Sequence, residues 1–286
     1  MIKHPQENED MISRFESFEK FVEQALVVPK RQDSSSSRQE PGGHEPWHGT
    51  HTFKQAVEIA RKGWADGAAE ALKIRTSVEA AVRDLINARS TCYSYDVAGE
   101  FVDVGRFLSG EPECFGIEIA DGGSVARPVV KIVANLAASG SVSTKSLFIR
   151  GAAIVAAIDI LEALGRRVEA WVAHGSTKTR SATGGFHETH VLVKRADQPL
   201  DVDRLAFAVA HPACLRRLCF SVMEQHGHLP NSTWPHRVTV EGDAIVTEHS
   251  RRSTDFSKRE LFALVAQICG QAGVDIPESE IEALAS

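Results

Sequence analysis

A chain of 286 residues that is 43% hydrophobic and 24% charged can bury a sizeable core, which excludes wholesale disorder. Its formal net charge of -6 offers no global cationic surplus, so any nucleic-acid contact would have to come from a local basic patch. The five cysteines (Cys92, Cys114, Cys214, Cys219 and Cys269) form no CxxC pair, and they read as small buried hydrophobes rather than a disulfide framework or a thiolate zinc site.

Residues 1–10 are polar and mixed in charge, without the apolar core of a signal peptide. Residues 11–28 predict an amphipathic helix with Phe15, Phe18, Val22 and Ala25 on one stripe, assigning 1–28 to an N-terminal helical unit. Residues 29–46, with four consecutive serines and Pro41-Gly42-Gly43, read as a flexible linker, leaving that helix free to dock on this chain or on another. A helical region over 47–90 follows. Thr52 is placed as an N-cap, and Phe53, Val57, Ala60 and Trp64 share a face. Gly63 and Gly67 suggest close packing or a break, and Leu72, Val78, Val82 and Leu85 carry a second helix.

Residues 91–286 form the expected α/β core. Strands are predicted over 97–104 and 114–120 on either side of Ser109-Gly110-Glu111-Pro112. A buried strand over 128–134, a hydroxyl-rich loop over 135–144, a helix over 145–164 stopped at Gly165 and a strand over 168–174 make a βαβ crossover. The apolar part of that helix is interrupted by Arg150, Asp159 and Glu162, so it reads as a core helix and not a membrane span. A neighbouring strand over 189–195, helices over 202–210 and from Pro212 to about 225, and a hairpin over 237–246 around Glu241-Gly242-Asp243 complete the sheet region. Ser257 and Glu260 spell a capping box for a last helix bearing Leu261, Leu264, Val265 and Ile268. The fold class is α/β, a mixed and mainly parallel sheet flanked by helices, with a cytoplasmic location and no membrane contact expected.

The loop after the 128–134 strand is the candidate site, because open α/β sheets bind ligands at the carboxyl ends of their strands. It supplies Asn135, Ser139 and Ser141 and feeds a helix N-terminus, where free amides favour an anion. On that helix Arg150 lies opposite the polar stripe of Lys145, Asp159, Glu162 and Arg166. An arginine on an apolar side needs a partner, so an internal ion pair with an acidic residue is the expected use, and a binding contact the alternative.

From the 128–134 strand through about residue 224 the order of elements resembles the von Willebrand factor type A fold. In that family a DxSxS motif at the end of the first strand binds magnesium. Here the stretch reads Asn135-Leu136-Ala137-Ala138-Ser139, and only Ser139 matches. Neutral Asn135 and oxygen-free Ala137 remove most of the ligand charge a hard cation requires. The resemblance therefore implies the fold with a degenerate metal site, no metal and no cofactor. The block from Trp47-His48-Gly49-Thr50 through Gly63-Trp64 is similar to proteins of bacterial phages and other mobile elements.

His187-Glu188-Thr189-His190 falls one residue short of the HExxH spacing, and on a strand its histidines point to opposite faces. Histidines also gather around Trp47 (His44, His48, His51) and around Trp234 (His226, His228, His236). Basic runs at Lys178 and Arg180, Arg216-Arg217 and Arg251-Arg252 read as solvated charge. A non-enzymatic protein-binding or adaptor role for a phage or mobile-element protein is the favoured expectation. A nucleic-acid-associated protein is the alternative, and a metal-dependent hydrolase using His187, Glu188 and His190 the third reading.

Overall fold

The computed structural model describes residues 10–28, 37–39, 47–87, 92–119, 129–177, 185–226, 234–248 and 256–285. The chain divides into two units, one formed by Met1–Glu79 with Val129–Ser286 and the other by Ala80–Pro128. The smaller unit holds β2 (Cys92–Asp96), β3 (Phe101–Val102), α4 (Val104–Leu108) and β4 (Phe115–Ile119), with β4 pairing antiparallel to both other strands. The expected strand over 97–104 is corrected here. The Glu100 amide donates to the Gly116 carbonyl at 2.9 Å, and Asp103 caps α4 through the Arg106 amide, so the chain turns where alternation suggested continuation.

In the larger unit the sheet runs β1-β7-β6-β5-β9, with β8 (Trp234–Pro235) added against β6. Its strands are β1 (Met11–Phe15), β5 (Val129–Asn135), β6 (Arg167–Thr177), β7 (Phe186–Lys194) and β9 (Ile245–Val246). The β5–β6, β1–β7 and β5–β9 pairs are parallel, and β6 is antiparallel to β7 and β8. The chain is thus α/β with a mixed, mostly parallel sheet. The predicted crossover is present, with α5 (Thr144–Ala163) joining β5 to β6.

Residues 11–28 are not one helix. Residues 11–15 form the edge strand β1, and Ser17 caps a shorter α1 (Phe18–Leu26) by accepting from the Lys20 amide. The three-residue spacing of the phenylalanines favours a helix, but only Phe15 of the three lies in β1, and a non-local pairing with β7 decides that segment. Nor does α1 hang free. Phe18, Phe21, Val22 and Ala25 are buried, and Phe18 meets Phe207 edge-on at 6.2 Å. Each buried phenylalanine contributes on the order of 2 kcal/mol, so the stripe serves this chain's own core.

The linker expectation is corrected at residues 37–39; its other residues, 29–36 and 40–46, lie outside those described. Ser37 is buried, and its amide and hydroxyl donate to the Glu224 carboxylate at 3.0 and 2.6 Å. Arg38 closes the C-terminus of α1 by donating to the carbonyls of Ala25, Leu26 and Val27.

Helices gather on one face of the sheet: α1, α5, α6 (Val202–Ala210), α7 (Phe220–Gln225) and, beyond them, α2 (Phe53–Lys62). α8 (Lys258–Gln271) packs on α5 and carries α9 (Glu278–Ala285). The Thr52 and Ser257 caps both close complete capping boxes, and α2 stops at Gly63 before α3 (Ala65–Asn87) begins. The other sheet face is crossed by residues 236–248, whose Val238, Val240 and Ala244 cover Val133, Trp171, Ala173 and Leu192. This strap replaces the expected hairpin. Gly242 does turn at φ 74, but the following strand pairs parallel to β5 and the preceding residues form no ladder with it. The Thr239 amide and hydroxyl donate instead to the Glu188 carboxylate. Gly175 lets the strap lie close, since a Cβ there would stand 2.8 Å from the His236 carbonyl oxygen.

Candidate functional site

Between α6 and α7 the backbone winds as a π-helix, Cys214–Cys219, and all six of its residues are buried. The wider turn brings consecutive side chains closer in direction than α-helical winding does. Two adjacent arginines can therefore both face inward, and Arg216 and Arg217 are 1% and 0% exposed. Arg216 donates from Nη1 to the Trp47 carbonyl and from Nη2 to the Val142 carbonyl, each at 2.6 Å. Its guanidinium stacks 4.1 Å from the Trp47 ring centre. Burial lowers its pKa to about 10, which leaves it cationic at neutral pH. Arg217 donates to four carbonyls, those of Ser37, Gln39, Thr50 and His51. Reading this pair as solvated charge is therefore corrected.

Arg216 forms part of the wall of a cleft of about 280 Å³ at the carboxyl ends of β5 and β6. The β5–α5 loop contributes Ser139 and Gly140, β6 contributes His174 and Ser176, and Trp47, Phe220 and Trp234 supply aromatic surface. The indole Nε1 of Trp47 donates to the Gly140 carbonyl at 3.0 Å, tying the rim to the loop. Ser176 is occupied, donating to the Met223 sulfur at 3.0 Å. His174 is 4% exposed, and neither ring nitrogen has a hydrogen-bond partner among the described residues. No carboxylate appears among the described lining residues.

The four residues singled out from sequence separate into two places. Ser139 lines the cleft and its hydroxyl lies 3.1 Å from that of exposed Ser141. Asn135 is buried and closes the turn after β5, its Oδ1 accepting from the Ala137 amide at 3.0 Å. Arg150 is buried on α5 and donates to the Thr247 hydroxyl at 3.0 Å and to the Glu248 carbonyl. The backbone N–H of Asn135 donates to the same Thr247 hydroxyl at 3.1 Å, so Asn135 and Arg150 together fasten the end of the strap. The expected ion pair is absent among the described residues. Arg150 takes neutral oxygens, while the Glu248 carboxylate pairs with Arg237 at 2.8 Å. At the start of α5, Ser143 accepts from the Ser146 amide, so a side chain occupies one of the donors that an anion was expected to use.

His187 and Glu188 turn to opposite sheet faces. Glu188, fully buried under the strap, accepts from Thr239 and lies 2.8 Å from His190 Nε2. Among the described residues no group of three or more His, Cys, Asp or Glu could hold a metal. Thiol chemistry is also disfavoured: the Cys219 contact and burial push the Cys214 thiol well above its ordinary value, and burial pushes Cys269 up to about 12.

Sequence reasoning missed Trp47, His174, Arg216, Phe220 and Trp234 as a group. The available signal was an arginine pair inside the apolar run Leu215 to Phe220, which a fully solvated helix would not carry.

Burial pushes His174 and His211 down to about 4. The unfolded chain, with histidines near the ordinary value of about 6.5, binds protons that these folded rings refuse. Their contribution is intact above about pH 6.5 and is lost as pH falls toward 4, each ring costing on the order of 3 kcal/mol at the lower end. Urea-unfolding midpoints should therefore drop between about pH 7 and pH 5, and less steeply in a His174→Leu variant. Parallel slopes in the two proteins would contradict the assignment to His174.

Fold and cleft together define an α/β protein with a ligand-sized, aromatic-rimmed cleft at the carboxyl edge of its parallel strands. The chain belongs to the family described as a domain of unknown function (DUF7192), whose model matches residues 3–237. No curated protein and no solved structure matches it. No single helix among the described residues is long and apolar enough to cross a membrane.

Proposed function

We propose that this chain is a non-enzymatic binding protein, an adaptor that engages a protein partner through the cleft at the carboxyl edge of β5 and β6. The observation that carries the reading is the pairing of a buried arginine with two partly exposed tryptophans, Trp47 and Trp234, around one small cleft. Tryptophan and arginine are the residue types that dominate protein-interface energetics. A neutral His174 is a poor base near pH 7, and the described lining brings it no carboxylate, which supports binding over catalysis. In the smaller unit, Val97, Val104, Phe107 and Leu108 are also exposed.

The nucleic-acid reading loses Arg216 and Arg217, whose guanidiniums face inward; Lys178, Arg180, Arg251 and Arg252 lie outside the described residues. The type A likeness is supported by the β5–α5–β6 crossover and its loop at the strand ends. The phage or mobile-element setting rests on the resemblance carried by the block from Trp47 to Trp64.

Panning a random peptide library on the immobilised protein tests the adaptor reading. Enriched peptides are expected to bind a Trp234→Ala variant about tenfold or more weakly, because Trp234 sits on the rim and its loss leaves the core intact. Equal binding to the variant, or no enrichment at all, contradicts the reading.

A further inference from the structure

We propose that the cleft recognises a carboxylate carried on an apolar residue, namely the free C-terminus of a partner polypeptide. This rests on the protein-binding reading above and adds the chemistry of the group bound.

Three observations converge on it. First, Arg216 is a buried cation whose hydrogen bonds go to the neutral carbonyls of Trp47 and Val142, and it has no acidic partner among the described residues. A charge held in that way is favoured by an anion brought to the same wall. The two carbonyls and the Trp47 ring also fix the guanidinium before any ligand arrives, which lowers the ordering cost of binding. Second, His174 lines the same cleft with both ring nitrogens unpartnered among the described residues. A neutral imidazole carries one N–H, which can donate to a carboxylate oxygen, and such a bond relieves a buried polar group of its desolvation penalty. Third, Trp47, Leu215, Phe220 and Trp234 also line the cleft, which suits an apolar side chain beside the charge.

Charge and size narrow the choice. A phosphate group brings a charge of about −1.5 to −2 at neutral pH, more than one guanidinium balances, whereas a carboxylate brings one. A cleft of about 280 Å³ lies at the small end of ligand sites, so it suits a terminal residue and not a folded element.

Isothermal titration of the intact protein tests the proposal with four probes: N-acetyl tripeptides ending in leucine or phenylalanine as the free acid, the same peptides as carboxamides, benzoate, and inorganic phosphate. The acid is expected to bind about tenfold more tightly than the carboxamide, the scale of one charge-assisted contact. Benzoate should compete with it and phosphate should not. Arg216 also ties two backbone segments, so its replacement can unfold the chain. His174→Leu is the second variant, expected to weaken the acid several-fold and the carboxamide little. Equal affinity for acid and carboxamide overturns the carboxylate while leaving peptide binding in place. Benzoate binding with neither peptide bound overturns the polypeptide source and, with it, the adaptor reading. Displacement of the acid by phosphate as readily as by benzoate replaces carboxylate with phosphate, and silence from every probe removes both claims.

Discussion

Gly151→Ala is expected to destabilise the protein by about 1–3 kcal/mol, and Gly151→Val to prevent folding. Gly151 lies within α5 where that helix crosses α6. A Cβ there would stand 2.2 Å from Ala210 Cα, 2.5 Å from Ala210 Cβ and 2.7 Å from the Val209 carbonyl oxygen. Two of these atoms are backbone, so no rotamer change relieves the overlap and the helices must move apart. α5 is buried along most of its length, and that separation would disturb its packing on β6 and α8 as well. Helix propensity works in the opposite direction, since alanine is preferred to glycine by about 1 kcal/mol in a helix interior. A second helical glycine separates the two effects. At Gly270 in α8 the nearest atom to an added Cβ is the Asp275 carboxylate oxygen at 3.6 Å, so Gly270→Ala is expected to be neutral or stabilising by roughly 0.5–1 kcal/mol. Urea-unfolding curves of the two variants should shift in opposite directions. A stable Gly151→Ala would mean that α5 and α6 do not approach as described.

Arg217→Met is expected to cost about 3–5 kcal/mol and to expose the segment around Arg38. The substitution removes the charge together with its bonds, so no cation is left stranded. What is left stranded are the carbonyls of Ser37, Gln39, Thr50 and His51, which lose a shared donor, those of Ser37 and Thr50 in a buried setting. The segment loses the Arg217 bonds to Ser37 and Gln39 but not the Ser37 bonds to Glu224 or the Arg38 stack on Phe53, 4.1 Å from the ring centre, so it is loosened locally while the rest of the chain stays folded. Limited trypsin digestion reads this directly: cleavage after Arg38 should be slow in the parent and fast in Arg217→Met under conditions where both remain folded. Equal cleavage rates would show that Arg217 does not hold this segment.

These two residues mark the boundary of what the sequence discloses. Local rules worked where local physics decides. The Thr52 and Ser257 caps and the α6 span follow from side chains within a few residues of one another, and the β5–α5–β6 crossover from a strand, helix, strand pattern that is continuous in sequence. Reading failed where a distant partner decides. Nothing in residues 11–15 announces that β7 will accept them as an edge strand. Nothing in a serine-rich stretch announces that Glu224 and Arg217 will take up residues 37–39, about 180 positions away. The site shows the same division. The loop after β5 was legible as a carboxyl-edge loop, and Ser139 does line the cleft. Arg150 and Asn135 were legible as unusual but not as holders of Thr247, because the strap that carries it arrives from more than ninety residues downstream. The π-helix has no signature in its letters, yet it carries Arg216 at the cleft wall.

The central claim, that the carboxyl-edge cleft is the binding site, is most directly tested by fluorine NMR of protein labelled with 5-fluorotryptophan. The chain has four tryptophans, and single Trp→Phe variants assign their signals. Trp47 and Trp234 line the cleft. Trp64 packs between Phe148 and His211, and Trp171 faces the strap on the opposite side of the sheet. Saturation with an N-acetyl tripeptide acid is predicted to shift the Trp47 and Trp234 resonances and leave Trp64 and Trp171 in place. Shifts confined to Trp64 or Trp171, or no shift in any of the four at saturation, would contradict the claim.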